Sequence, residues 1–89
     1  MEDGMERLTV TLYTKEKCPL CDKGKEILTE IQHEIAFDLE VIDIYKDDEL
    51  LEKYQLMIPV VCISNEEIDF GQLSKRKIKE AVENRLNLI

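Results

Sequence analysis

The chain has 89 residues, 44% hydrophobic and 36% charged, with 20 acidic side chains against 12 basic ones and a formal net charge of −8. That length predicts one domain with one modest core, and the composition excludes a disordered chain. The negative surface disfavours nucleic acid and anionic membranes as partners, and the longest apolar run, Met57 to Ile63, is too short to span a bilayer.

The first six residues, Met1-Glu2-Asp3-Gly4-Met5-Glu6, are acidic. No basic segment leads an apolar one there, so no signal peptide is expected and the expected location is cytoplasmic. Residues 1–6 read as a disordered tail and residues 7–89 as a single domain. Leu8, Val10 and Leu12 alternate with Thr9, Thr11 and Tyr13, which predicts a strand over residues 7–13. From Leu20 the period becomes helical. Leu20, Gly24, Ile27, Leu28, Ile31 and Ile35 share a face, giving an amphipathic helix from about Pro19 to Gln32 with Pro19 in its first turn.

Phe37 to Ile44 reads as a second strand, with Phe37, Leu39 and Val41 on one side. Asp47 is placed to cap a short helix through Tyr54, followed by acidic residues that suit its first turn. Pro59 opens a third strand, Val60-Val61-Cys62-Ile63, whose continuous apolar run predicts burial on both faces. Ser64 to Glu67 is a turn and Ile68-Asp69-Phe70 a fourth strand. Ser74 caps a last helix with Ile78, Ala81, Val82 and Leu86 inward, and Leu73 and Ile78 form a hydrophobic staple. The order βαβαββα predicts an α/β fold, a four-stranded mixed sheet flanked by helices.

The three cysteines stand at positions 18, 21 and 62. Cys18-Pro19-Leu20-Cys21 falls between the first strand and the first helix, where a Cys-x-x-Cys pair reads as redox chemistry. Disulfide exchange needs a thiolate that attacks and a second thiol that resolves the mixed disulfide. Cys18 lies just before the helix, where unpaired N–H groups and the helix dipole favour the anion. Lys15 and Lys17 add positive charge. Cys21, one turn on and deeper, is the natural resolver. Structural zinc wants four ligands. Only Cys62 and His33 remain as soft candidates, neither at paired spacing, so no metal site is expected.

Leu12-Tyr13-Thr14-Lys15 followed by Cys18-Pro19-Leu20-Cys21 resembles the opening of the glutaredoxins. Met57-Ile58-Pro59-Val60-Val61 resembles their hydrophobic-proline segment, and Ile68-Asp69-Phe70-Gly71 before a helix also fits. The chain is therefore identified as similar to the small glutaredoxin-like group of the thioredoxin superfamily, over about residues 7–87. The resemblance implies the thioredoxin fold and a cis Ile58–Pro59 bond facing the cysteines. The Ile58 backbone would then be free to pair with a substrate strand. It also implies that Lys15 lies near the thiolate and a glutathione carboxylate, and that the reaction is reduction of protein or glutathione mixed disulfides. Substrate binding is thus expected at Lys15, Leu20, Ile58 and Pro59, with catalysis by Cys18 and Cys21. Two positions depart from the glutaredoxin pattern. Leu20 stands where an aromatic residue is usual, and Gly71-Gln72-Leu73-Ser74 replaces a Gly-Gly pair followed by Asp that binds glutathione. Glutathione as co-substrate and a thioredoxin-type reductase both stay open as electron donor. No tightly bound cofactor is expected, and a monomer suffices.

Cys62, in the apolar third strand, reads as a packed core thiol, with a third redox thiol as the sharper alternative. His33 reads as a surface residue. Lys75-Arg76-Lys77 reads as a solvated face, or else as a docking patch for an anionic group such as a glutathione carboxylate. Two other functions compete with the oxidoreductase. One is a binding module without turnover, and the other a metal- or cluster-binding dimer that uses Cys18 as ligand.

Overall fold

In the computed structural model, which describes residues 8–87, the chain runs β1 (Thr9–Thr14), α1 (Pro19–Glu34), β2 (Asp38–Asp43), α2 (Asp48–Tyr54), β3 (Val60–Ile63), β4 (Glu66–Phe70) and α3 (Lys75–Asn87). The tail expected over residues 1–6 lies outside the described residues. The strands form one sheet in the order β2-β1-β3-β4. β2 is parallel to β1, whereas β3 is antiparallel to both β1 and β4. The sheet is mixed, as the βαβ-plus-hairpin order predicts.

Alternation along β1 and β3 divides the core into two layers. Val10, Leu12, Val61 and Ile63 face α1 and α3, packing with Leu28, Ile31, Phe37, Leu73, Ile78 and Val82. Val60 and Cys62 face the other way, toward Tyr54 and Ile44, with Tyr13, Leu50 and Leu51 packed around them. β3 is buried at all four positions because it has a strand on either side and a helix layer on either face.

Asp47 caps α2, its carboxylate accepting from the N–H groups of Glu49 and Leu50 at 2.9 and 3.4 Å. Ser74 caps α3 by accepting from Lys77 N–H at 3.2 Å, and Leu73 and Ile78 meet in one cluster as the staple requires. Such a cap stabilises its helix by about 1 kcal/mol.

The structure corrects the second strand. Phe37 precedes β2, and Ile44 falls in a 3₁₀ turn (Ile44–Lys46) with its side chain buried on the α2 side. Val41 is 43% exposed because β2 is the edge of the sheet and no helix covers it. The fourth strand begins two residues earlier than its apolar pattern suggests. Ser64 and Asn65 both take positive φ, at 52° and 67°, so two residues suffice for the turn. Gly71 also has positive φ, 71°, a left-handed backbone that suits glycine, and its N–H donates to the carbonyls of Met57 and Pro59 at 3.1 and 2.8 Å.

Gly24 sets how close α1 approaches Leu73, which precedes α3. A Cβ on Gly24 would lie 2.7 Å from Leu73 Cδ1 and 3.5 Å from Pro59 Cγ. Gly24→Val is expected to destabilise the protein by about 2 kcal/mol through overpacking against Leu73 and Pro59. Urea unfolding checks this. A midpoint equal to that of the unaltered protein would mean that Leu73 yields at no cost.

Under α2, Tyr54 stacks on Tyr13 with ring centroids 4.9 Å apart, and its hydroxyl lies 3.9 Å from Cys62 Sγ. Burial pushes the Cys62 thiol above its ordinary value, outweighing the Tyr54 hydrogen bond. Burial, aided by Cys62, likewise pushes both tyrosine hydroxyls up. Groups whose folded pKa is raised keep their stability below the unfolded pKa and lose it as pH rises toward the folded one. Stability should therefore be level up to about pH 8 and fall above the ordinary thiol value of about 8.5, by about 1.4 kcal/mol per pH unit for each proton retained. Denaturant midpoints from pH 7 to 11 test this, and Cys62→Ala should make the first part of the fall shallower. A profile identical to that of the unaltered protein would remove Cys62 from the account.

Candidate active site

The site forms where β1 ends and α1 begins. Lys15, Glu16 and Lys17 cross from strand to helix, with Lys17 at φ 54°, a left-handed backbone that turns the chain into the helix. Cys18 is extended, at φ −125° and ψ 101°, and acts as the N-cap of α1, with Pro19 in the first turn. Its Sγ accepts from the N–H of Cys21 at 3.1 Å, and its carbonyl accepts from the N–H of Asp22 at 3.0 Å. A cysteine thus takes the place usually held by Ser, Thr or Asp, and its sulfur sits at the positive end of a 16-residue helix.

Cys18 and Cys21 form a disulfide, with Cα atoms 5.1 Å apart. Cys21 is the deeper of the two, 3% exposed against 8%. Cys18, not Cys21, lines a groove of about 420 Å³ with Lys15, Lys17, Pro19, Leu20, Gln55, Leu56 and Ile58. Three of the four residues expected to bind substrate, Lys15, Leu20 and Ile58, therefore meet around Cys18. Pro59 is buried behind them, against Gly24 of α1, and the Ile58–Pro59 peptide is cis.

Two local expectations change. Leu20 does not join the inward face of α1. It is 49% exposed, and Cys21 takes the inward position because the first turn must direct the second sulfur back toward Cys18. The Ile58 backbone is not wholly free either, since its N–H donates to the Tyr54 carbonyl at 3.1 Å beside that of Met57 at 2.8 Å. Gln55 and Leu56 are groove residues that pattern reading passes over. Their one signal is an apolar residue next to Met57-Ile58-Pro59 that no helical or strand period claims.

The other singled-out residues stand apart from the groove. Cys62 is buried under α2, and His33 is exposed in the last turn of α1. The run Lys75-Arg76-Lys77 is held by carboxylates. Lys75 lies 3.4 Å from Glu30 and 3.1 Å from Glu34, Arg76 lies 3.4 Å from Glu80, and Lys77 lies 3.7 Å from Asp69. Lys79 also bonds Glu34, and together the two lysines hold that carboxyl below its ordinary range. Lys75 and Lys79 tie α3 to α1, Lys77 ties it to the end of β4, and the Arg76 pair lies within α3. Among the described residues, no three His, Cys, Asp or Glu side chains converge as a metal site, and no helix is long and apolar enough to cross a membrane.

Comparison with known proteins gives this geometry a setting. A thioredoxin of Methanocaldococcus jannaschii is 26% identical over 85 residues, spanning 92% of this chain and all of that protein. The solution structure of a Nitrosomonas europaea protein superimposes with a TM-score of 0.76 at 28% identity, covering 91% of this chain and 98% of the other. Thioredoxin 1 of Thermosipho africanus gives 0.67 at 21% identity, over 90% and 96% of the two chains, and so speaks to the fold alone. The architecture is the thioredoxin fold, and with the Cys18–Cys21 disulfide it supports a redox-type role. The model of the glutaredoxin-like domain (DUF836) matches residues 9–83, from the first residue of β1 into α3, and the chain belongs to that glutaredoxin-like family.

Proposed function

We propose that the protein is a thiol–disulfide oxidoreductase that reduces protein or glutathione mixed disulfides through its Cys18–Cys21 dithiol. The observation that carries this reading is the position of Cys18 Sγ, capping α1 and accepting the Cys21 N–H, on a residue that lines a surface groove. A sulfur so placed is stabilised as the thiolate when the disulfide is opened.

The reaction runs from the dithiol. Cys18 thiolate attacks one sulfur of the substrate disulfide, forming a Cys18–substrate bond, while the other substrate sulfur leaves as a thiolate and takes up a proton. Cys21 loses its proton and attacks Cys18 Sγ. The Cys18–Cys21 disulfide forms, and the second substrate sulfur leaves as a thiolate. Two electrons pass from the dithiol to the substrate. Lys15, Leu20 and Ile58 hold the substrate beside Cys18, and Pro59, buried and out of the substrate's reach, acts only by fixing the Ile58 backbone in front of it. Glutathione, as co-substrate, or a thioredoxin-type reductase returns the electrons. The protein works as a monomer in the cytoplasm, without a tightly bound cofactor, nucleic acid or membrane.

Cys18→Ser keeps a residue that caps helices well, so it should fold normally and reduce no disulfide. Cys21→Ser should accumulate a mixed disulfide on Cys18, seen as the added mass of half a substrate. Alkylation of Cys18 in the reduced protein should show an apparent pKa below about 7.5. Full reductase activity in Cys18→Ser, or an apparent pKa at or above about 8.5, would overturn the reading.

A further inference from the structure

The groove over Cys18 has a distinct chemical make-up. Leu20 and Leu56 line it, and they are 49% and 94% exposed. A leucine left almost wholly in water beside the reacting sulfur lacks the cover that burial elsewhere gives its kind. The groove's cations are Lys15 and Lys17, and it contains no carboxylate. Lys15 and Lys17 also line a neighbouring depression with Glu16, Asp43 and Tyr45, so the two hollows meet at these lysines. Among the described residues neither lysine has an ion-pair partner, whereas Lys75, Arg76, Lys77, Lys79 and Arg85 of α3 are all paired. In a chain of net charge −8, unspent positive charge and uncovered apolar surface thus coincide at the disulfide.

We infer that the groove selects a polypeptide substrate by the side chains beside its cysteine. An apolar side chain beside its cysteine seats between Leu20 and Leu56, and an acidic side chain meets Lys17 and Lys15. This rests on the thiol–disulfide reading above and narrows its substrate from disulfides in general to acidic–apolar peptide segments. Leu56 and Lys17 are the specificity-determining residues. Glutathione disulfide carries carboxylates but no apolar side chain and leaves the leucine half of the groove unused.

The test uses four short peptides, each with one cysteine joined as a disulfide to 2-mercaptoethanol. The cysteine is flanked by Leu and Glu, Ser and Glu, Leu and Lys, or Ser and Lys. Single-turnover reduction by the pre-reduced protein is timed for each. The Leu peptides should react about ten-fold faster than their Ser counterparts, and the Glu peptides about three-fold faster than their Lys counterparts at low salt. Leu56→Ser should bring the Leu-to-Ser ratio toward one, and Lys17→Glu should invert the Glu-to-Lys ratio. Each ratio is taken within one variant, so changes in Cys18 reactivity cancel. Leu56 is too exposed for its loss to unfold the chain.

Reduction of all four peptides at one rate would overturn the inference and leave the oxidoreductase reading standing. So would faster reduction of glutathione disulfide than of the Leu–Glu peptide. A dimer in sedimentation that disappears in Leu56→Ser would assign the leucines to a second copy and overturn the peptide groove. Reduction of none of these disulfides would overturn both readings together.

Discussion

The double-sided burial of β3 is the constraint from which the rest follows. Val60 to Ile63 has no face toward water. Its ladder hydrogen bonds are satisfied by β1 on one side and β4 on the other, and its side chains need apolar cover above and below. α1 and α3 provide one cover and α2 the other. Once β3 is clamped in this way, the segment leading into it, Gln55 to Pro59, has little freedom. It emerges at the end of the sheet where β1 gives way to α1, so Leu56 and Ile58 stand beside Cys18.

The same clamp explains the division of labour between the two sides of the sheet. On the α1 and α3 side the packing is aliphatic apart from Phe37, and it ends at Gly24, where the absence of a side chain lets Leu73 and Pro59 approach the helix. On the α2 side, Tyr54, Tyr13 and Cys62 bring polar tips into a buried cluster, and burial keeps those tips protonated. The buried thiol is thereby kept as a packing group, whereas the thiol at the head of α1 meets a dipole and the Cys21 N–H. One chain thus holds cysteines in two electrostatic settings, one at a helix N-terminus and one in a buried layer under α2.

Charge is partitioned as well. The cations of α3 lie against carboxylates of α1, α3 and β4. Exposed pairs of this kind add little stability individually, but they leave α3 with no free cation to hold an anion. Lys15 and Lys17 flank Glu16 and share a depression with Asp43, yet among the described residues neither makes an ion pair, and they are the cations that line the groove over Cys18.

Most of the element order was legible because it rests on local periodicity. Val10 and Leu12, the helical spacing from Gly24 to Ile31, the apolar run of β3 and the caps at Asp47 and Ser74 each report on their own few residues. The Cys18–Cys21 pair was legible for the same reason, since spacing by three at a helix start brings two sulfurs together whatever the remainder of the chain does. Val41 and Leu20 misled because an apolar residue in phase need not be covered. Whether a strand lies at an edge, or a first helical turn looks outward, depends on neighbours far away in sequence. Leu56 was invisible as a groove residue because its place depends on where β3 is clamped relative to β1. Local hydrophobic pattern, capping and sulfur spacing were thus settled by the sequence itself, through interactions within a turn or a strand. Which apolar residues stay exposed, which lysines stay unpaired and which loop overhangs Cys18 were decided only by tertiary packing, because burial and charge pairing belong to surfaces that distant segments make together.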